Sequence, residues 1–161
     1  MAVITTILVP TDLSAESDRA LAYACDLAHA LGASLHILHV VEDPFAAGAF
    51  MEMYTPPPAG YVDRMERDAQ ARLDTLLTPE RKARYAAVTV TRIGAPARQI
   101  LEYVREHPAI GLIVMATAGR GGVARLMMGS VADKVVRTAP CPVLTLHRDE
   151  HPQPASAHRA A

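Results

Sequence analysis

Tryptophan is absent from this chain of 161 residues, and phenylalanine occurs twice beside five tyrosines. A core built from it must therefore come from Val, Ile, Leu, Ala and Met. Cysteine is scarce as well. Cys25 and Cys141 are too few for a disulfide framework or a zinc site, and are most simply small apolar packing residues. No sign of charge dominates: 16 Lys and Arg face 17 Asp and Glu, for a net charge of -1. That balance argues against electrostatically driven binding to nucleic acid or to a membrane surface. No apolar run reaches the roughly 18 residues of a membrane span, and Met1-Ala2-Val3-Ile4 lacks the basic start of a secretory signal. A cytoplasmic, reducing environment is the expectation. Also missing are a P-loop lysine motif, a nucleophile elbow and a nucleophile with a base beside it, so no catalytic residue is assigned.

The residues present form an ordinary globular mix, 50% apolar and 20% charged, in a length suited to one domain. Residues 3–9 are β-branched and apolar with little alternation, which predicts a strand buried on both faces. Ser14 supplies an N-cap for a helix whose apolar stripe (Ala20, Leu21, Ala24, Leu27, Ala28, Leu31) has helical spacing, and Gly32 stands at its C-cap. Residues 34–41 predict a second buried strand, completing a right-handed βαβ unit. Residues 42–60, with Pro44 and Pro56-Pro57-Pro58, predict a long loop. A charged helix is expected from Tyr61 toward Leu77, broken by Thr78-Pro79. Residues 87–93 predict a third strand. A helix then opens at Pro96 with Ile100 and Val104 inward, and residues 110–115 predict a fourth strand. Ser130 is expected to cap the last helix, 130–137, before a fifth strand at 143–147. Five strands alternating with four helices predict an α/β fold: a doubly wound five-stranded parallel sheet, strand order 3-2-1-4-5, in a single domain over 1–147 with a disordered tail over 148–161.

In such a sheet the ligand crevice lies beyond the carboxyl ends of the strands, where the winding reverses. With the order above, that is between strands one and four. The segments emerging there are Pro10-Thr11-Asp12 and 115–122, the second leading to Gly129-Ser130 at a helix start. Glycines that admit backbone N–H groups, next to a helix N-terminus, make an anion site, and phosphate is the natural occupant. Plainer roles exist for the same residues: Asp12 as a brace of its turn, Gly119, Gly121 and Gly122 as loop glycines, Val40 and Met115 as core. Arg120 and Arg125 read as solvated loop residues. His36 and His39, three apart on a strand, point to opposite faces and with His107 form no metal constellation.

Pro10-Thr11-Asp12, then Met115-Ala116-Thr117-Ala118-Gly119, nine residues, then Gly129-Ser130, resembles the universal stress protein family. ATP-binding members of that family carry G-x-x-G, nine residues, then Gly and a Ser or Thr. Here Gly119 and Gly129-Ser130 match, Ala116 replaces the first glycine, and Ala118 stands where a polar residue is frequent. Where that first position requires φ > 0, alanine costs on the order of 1 kcal/mol; where it requires only a small side chain, alanine fits. The resemblance implies that Asp12 and Val40 face the nucleoside, that Met115, Ala116 and Gly119 line the loop, and that Gly129, Ser130 and Val131 approach the phosphates. It implies ATP, with Mg2+ or Mn2+ on the phosphates, in a nucleotide-binding stress-response module that acts by binding or signalling. The alternatives are a nucleotide-free interaction protein of the same fold, or a slow ATPase. An uncharged edge strand at 143–147 further predicts a homodimer through that edge, as the resemblance also implies.

Overall fold

The computed structural model describes residues 3–42, 58–117 and 128–147. Residues 43–57, which take in most of the expected loop, residues 118–127 with Gly119, and the tail 148–161 lie outside the described residues. Within them the chain runs β1 (Thr6–Thr11), α1 (Ala15–Leu31), β2 (Ser34–Val41), α2 (Tyr61–Asp74), α3 (Pro79–Arg84), β3 (Val88–Ile93), α4 (Pro96–Glu106), β4 (Ile110–Ala116), α5 (Ser130–Thr138) and β5 (Val143–Leu146). The strands form one five-stranded sheet in the order β3-β2-β1-β4-β5, and every pairing is parallel.

Both faces of the sheet are covered, as a parallel sheet requires. Alternate residues divide between the two faces. Ile7, Val9, Leu35 and Ile37 pack on one side with Leu21 and Ala24 of α1 and Leu73 of α2. Leu8, Leu38, Ile113 and Met115 pack on the other with Ile100 and Val104 of α4 and Val135 of α5. Among the described residues no helix is long and apolar enough to cross a membrane.

Several boundaries differ from the sequence reading. β1 begins at Thr6 rather than Val3, which is 80% exposed. α2 stops at Asp74, short of Leu77, and Thr78-Pro79 opens a further helix, α3. The Thr78 hydroxyl accepts from the Arg81 N–H, and Pro79 occupies the first turn, where its missing N–H costs nothing. Ser130 is the first residue of α5 and Gly129 is its cap.

The α4 face carries a polar cluster inside its apolar packing. Nδ1 of His36 lies 2.8 Å from the Tyr103 hydroxyl. The Tyr103 ring stacks on His107 at 4.0 Å, and the Arg92 guanidinium sits 4.8 Å from its centroid while pairing with Glu106. Burial pushes the His36 imidazolium below its usual range, and His107 adds to the effect. The unfolded chain therefore takes up this proton at about pH 6.5, before the folded protein does. Stability from this site is full above about pH 6.5 and falls as the pH drops below it, until the folded imidazole also protonates. Urea midpoints at pH 7.5 and 5.5 should show a loss for the wild type that is smaller in His36→Gln. Equal losses would mean other groups carry the dependence.

Candidate functional site

A crevice of about 850 Å3 opens at the carboxyl ends of the central strands. Its position is set by the strand pairing. β1 stays in register with β2 through Pro10↔Leu38 and Thr11↔His39, but its register with β4 runs only from Thr6 to Leu8. Past that point Pro10 brings no N–H to a ladder, and the winding reverses between β1 and β4.

The structure places Pro10, Thr11, Asp12, Val40, Met115, Ala116, Gly129, Ser130 and Val131 on the walls of this one crevice. Gly119 lies outside the described residues. Ala116 is the last residue of β4, and positive φ outside glycine occurs, among the described residues, at Leu13 and Ala86 only. The alanine at this position is thus accommodated without backbone strain.

The turn after β1 is built from its own side chains. Leu13 has φ 62°, a conformation that costs a residue with a Cβ about 1–2 kcal/mol. Its N–H donates to Thr11 Oγ1 at 3.0 Å, and that hydroxyl donates to Ser17 Oγ at 2.9 Å. Asp12 Oδ1 accepts from the Ser14 N–H at 3.1 Å and from Ser17 Oγ at 2.9 Å. Ser14 and Ser17 complete a reciprocal capping box at the start of α1. Asp12 therefore braces its turn while lining the crevice.

The opposite wall is the start of α5. The Gly129 N–H donates to the Thr117 carbonyl at 2.7 Å, and its own carbonyl accepts from the Asp133 N–H at 2.9 Å. A Cβ added at Gly129 would stand 3.2 Å from the Thr117 oxygen. Thr117 is buried, and both its N–H and its hydroxyl bond to the Leu146 carbonyl, which ties this close approach to β5. Because the Gly129 N–H is occupied, the amides left without an acceptor in their own helix are those of Ser130, Val131 and Ala132. All three residues line the crevice, at the positive end of the helix dipole.

Between the turn and the helix the walls are apolar, from Pro10, Leu38, Val40, Met115 and Ile100. Donors at one end and an apolar slot beside them suit a ligand with an anionic tail and a flat, weakly polar body. Sequence reading misses the contributions of His39 on β2, of Met65, Asp68 and Arg72 on α2, and of Pro96 on α4. The spacing of Met65, Ala69 and Arg72 marks one helix face, but nothing in it says that the face borders a crevice. His39 carries a clearer mark, since it stands near the carboxyl end of a strand. Its Nδ1 lies 2.8 Å from the Thr11 carbonyl, which can only accept, so Nδ1 carries the proton. Among the described residues no group of three His, Cys, Asp or Glu converges as a metal site.

Comparison with known proteins agrees with this architecture. The Usp model, described as the universal stress protein family, matches residues 4–147. The universal stress protein YxiE of Bacillus subtilis is 32% identical over 141 residues, which is 85% of this chain and 95% of that one. The solved structure of universal stress protein UspA from Lactobacillus plantarum superposes with a TM-score of 0.70 at 30% identity, covering 91% of this chain and all 100% of that one. A universal stress protein solved in complex with cAMP superposes with a TM-score of 0.57 at 26% identity, covering 91% and 98% of the two chains.

Proposed function

Since the chain belongs to the universal stress protein family, we infer that it is a nucleotide-binding module of that family, holding ATP in the crevice between β1 and β4 and acting through binding or signalling. The observation that carries this reading is that Ser130, Val131 and Ala132, whose amides have no acceptor within α5, line the same crevice as the apolar wall of Val40 and Met115. The amides and the helix dipole stabilise phosphate oxygens, the Ser130 hydroxyl adds a donor, and the wall takes the base. The relative bound to cAMP supports an adenine nucleotide as the ligand class. A magnesium or manganese ion would sit on the phosphate oxygens. The test is titration calorimetry of the intact chain with ATP and magnesium, together with identification of any nucleotide released on denaturing the purified protein. No heat and no nucleotide would overturn the reading.

The same reading includes a homodimer through β5. On this strand the carbonyls of Pro142 and Leu146 accept from the Ile113 and Thr117 N–H groups. By alternation, the N–H and C=O of Val143 and Thr145 face away from β4, along an edge without charge. A two-fold axis would pair this edge antiparallel with its copy. Thr145→Pro removes an outward donor and leaves the bonds to β4 in place. Light scattering at micromolar concentration should give twice the chain mass for the wild type and a monomer for Thr145→Pro. A monomeric wild type would refute the dimer.

A further inference from the structure

Leu13 sits in the left-handed region at φ 62°, in the turn that brings Asp12 to the crevice. Such a conformation persists only where its surroundings over-determine it. Two of the restraints are local. Thr11 Oγ1 holds the Leu13 N–H at 3.0 Å, and Asp12 Oδ1 gathers the Ser14 N–H and the Ser17 hydroxyl. A third comes from another strand. His39 stands opposite Thr11 in the β1–β2 register, and its Nδ1–H donates to the Thr11 carbonyl at 2.8 Å. That carbonyl belongs to the last residue of β1, and by the alternation that starts with the Ser34 N–H on the Thr5 carbonyl it also receives the Val40 N–H, so the imidazole is its second donor at the point where the turn begins. The imidazole is half-buried and is itself part of the crevice wall.

We propose that His39 is a positioning residue of the site: by donating to the Thr11 carbonyl it holds the β1–α1 turn, and so keeps Asp12 in place on the crevice wall. The hold on the turn rests on the geometry alone, and its consequence for affinity rests on the nucleotide-binding reading above. The role needs a donor two bonds beyond Cβ that meets an acceptor at fixed distance. Asparagine can supply one from Nδ2, at the same remove from the backbone as the imidazole Nδ1. Leucine has the branching of asparagine without the donor. The pair therefore separates the hydrogen bond from the bulk of the side chain.

The experiment uses the full chain as wild type, His39→Asn, His39→Leu, Asp12→Ala and the Asp12→Ala/His39→Leu double variant. Calorimetry with ATP and magnesium is combined with amide hydrogen exchange at Leu13 and Ser14 in the ligand-free protein. His39→Leu should weaken ATP at least tenfold and raise exchange at the Leu13 N–H at least tenfold, while His39→Asn stays within threefold of wild type in both. Because His39 acts through Asp12, adding His39→Leu to Asp12→Ala should change affinity less than twofold. Unchanged Leu13 exchange in His39→Leu would overturn the proposal, as would exchange raised evenly across β1 and α1. It also falls if His39→Asn protects the turn yet binds as weakly as His39→Leu, which would mean direct contact between the imidazole and the ligand. Additive losses in the double variant would overturn it as well. If the wild type binds no ATP but exchange changes in the expected pattern, the nucleotide reading fails and the hold on the turn stands.

Discussion

Gly129→Val is expected to weaken ATP binding by about 3 kcal/mol, on the order of a hundredfold, while leaving the fold in place. The cap residue has φ -59° and ψ 151°, a region open to valine, so the backbone itself is not strained. The obstacle is space. The first carbon of any side chain there meets the Thr117 oxygen at 3.2 Å, and Thr117 cannot retreat because its N–H and hydroxyl are both anchored to Leu146. The branched side chain must push the start of α5 away from β4 or project into the crevice. Either outcome moves or covers the amides of Ser130, Val131 and Ala132. Ser130→Ala is the contrasting variant. Ser130 is the first residue of α5 and not its cap, so removal of its hydroxyl should cost one phosphate contact, about 1 kcal/mol or roughly fivefold in affinity. Titration calorimetry on both variants decides the matter: a Gly129→Val protein that binds ATP like wild type would show that the start of α5 is not where the phosphates lie.

Leu73→Ala should cost about 2–5 kcal/mol of folding stability, a large share of what a domain of this size has. α2 is mostly polar and buries only Ala69 and Leu73. Leu73 is fully enclosed, in the cluster that contains Leu35, Ile37, Leu77 and Tyr85. Truncating it leaves a void beneath the helix that sheet residues cannot fill, because their backbones are held in ladders on both sides. Beyond the small Ala69, the remaining attachment would be polar: the Thr91 hydroxyl donating to Gln70 at 2.7 Å and the Thr89 hydroxyl donating to Asp74 at 2.6 Å. Both lie at least partly in contact with water, where such bonds contribute little net stability. Urea denaturation measures the loss. A change below about 1 kcal/mol would mean that the polar contacts, rather than the leucine, hold α2 to the sheet.

The elements that are plain in the amino-acid sequence are those where one physical signal acts alone. β2 is a run of Leu, Ile and Val broken only by His36 and His39, between Gly32 and the acidic Glu42, and its bounds match the structure. α1 has a serine cap, a helical stripe that is buried at Ala20, Leu21, Ala24 and Ala28 though exposed at its last member Leu31, and a terminal glycine with φ 65°. Where one residue pair carries two signals, the stronger hides the weaker. Thr78-Pro79 breaks the helical pattern on its N-terminal side and nucleates a helix on its C-terminal side, so a reading for breaks alone passes over α3. Gly129-Ser130 divides differently from its preferences for a related reason. Serine is the better cap by preference, but a tertiary contact, the close approach to Thr117, gives the cap to glycine. The crevice is legible where strands end, since the switch point depends on topology alone. The faces contributed by α2 and α4 are not, because they depend on how helices lie across strands, which spacing does not encode.

The order β3-β2-β1-β4-β5 makes the crevice a seam between an early and a late half of the chain. Pro10, Thr11, Asp12 and Val40 emerge first during synthesis, in a βαβαβ unit that can pair β1, β2 and β3 by itself. Met115, Ala116 and the start of α5 arrive only after about a hundred residues, and until β4 docks, the middle of the sheet is an open margin. Neither half contains the whole crevice, so a ligand can engage both walls only once the long-range closure of β1 on β4 is complete. Such a ligand would act as a clasp on the strand pairing with the greatest sequence separation in the sheet. The binding free energy of a ligand that touched both walls would fall on the finished fold and not on the half-built one, and would stabilise it by mass action.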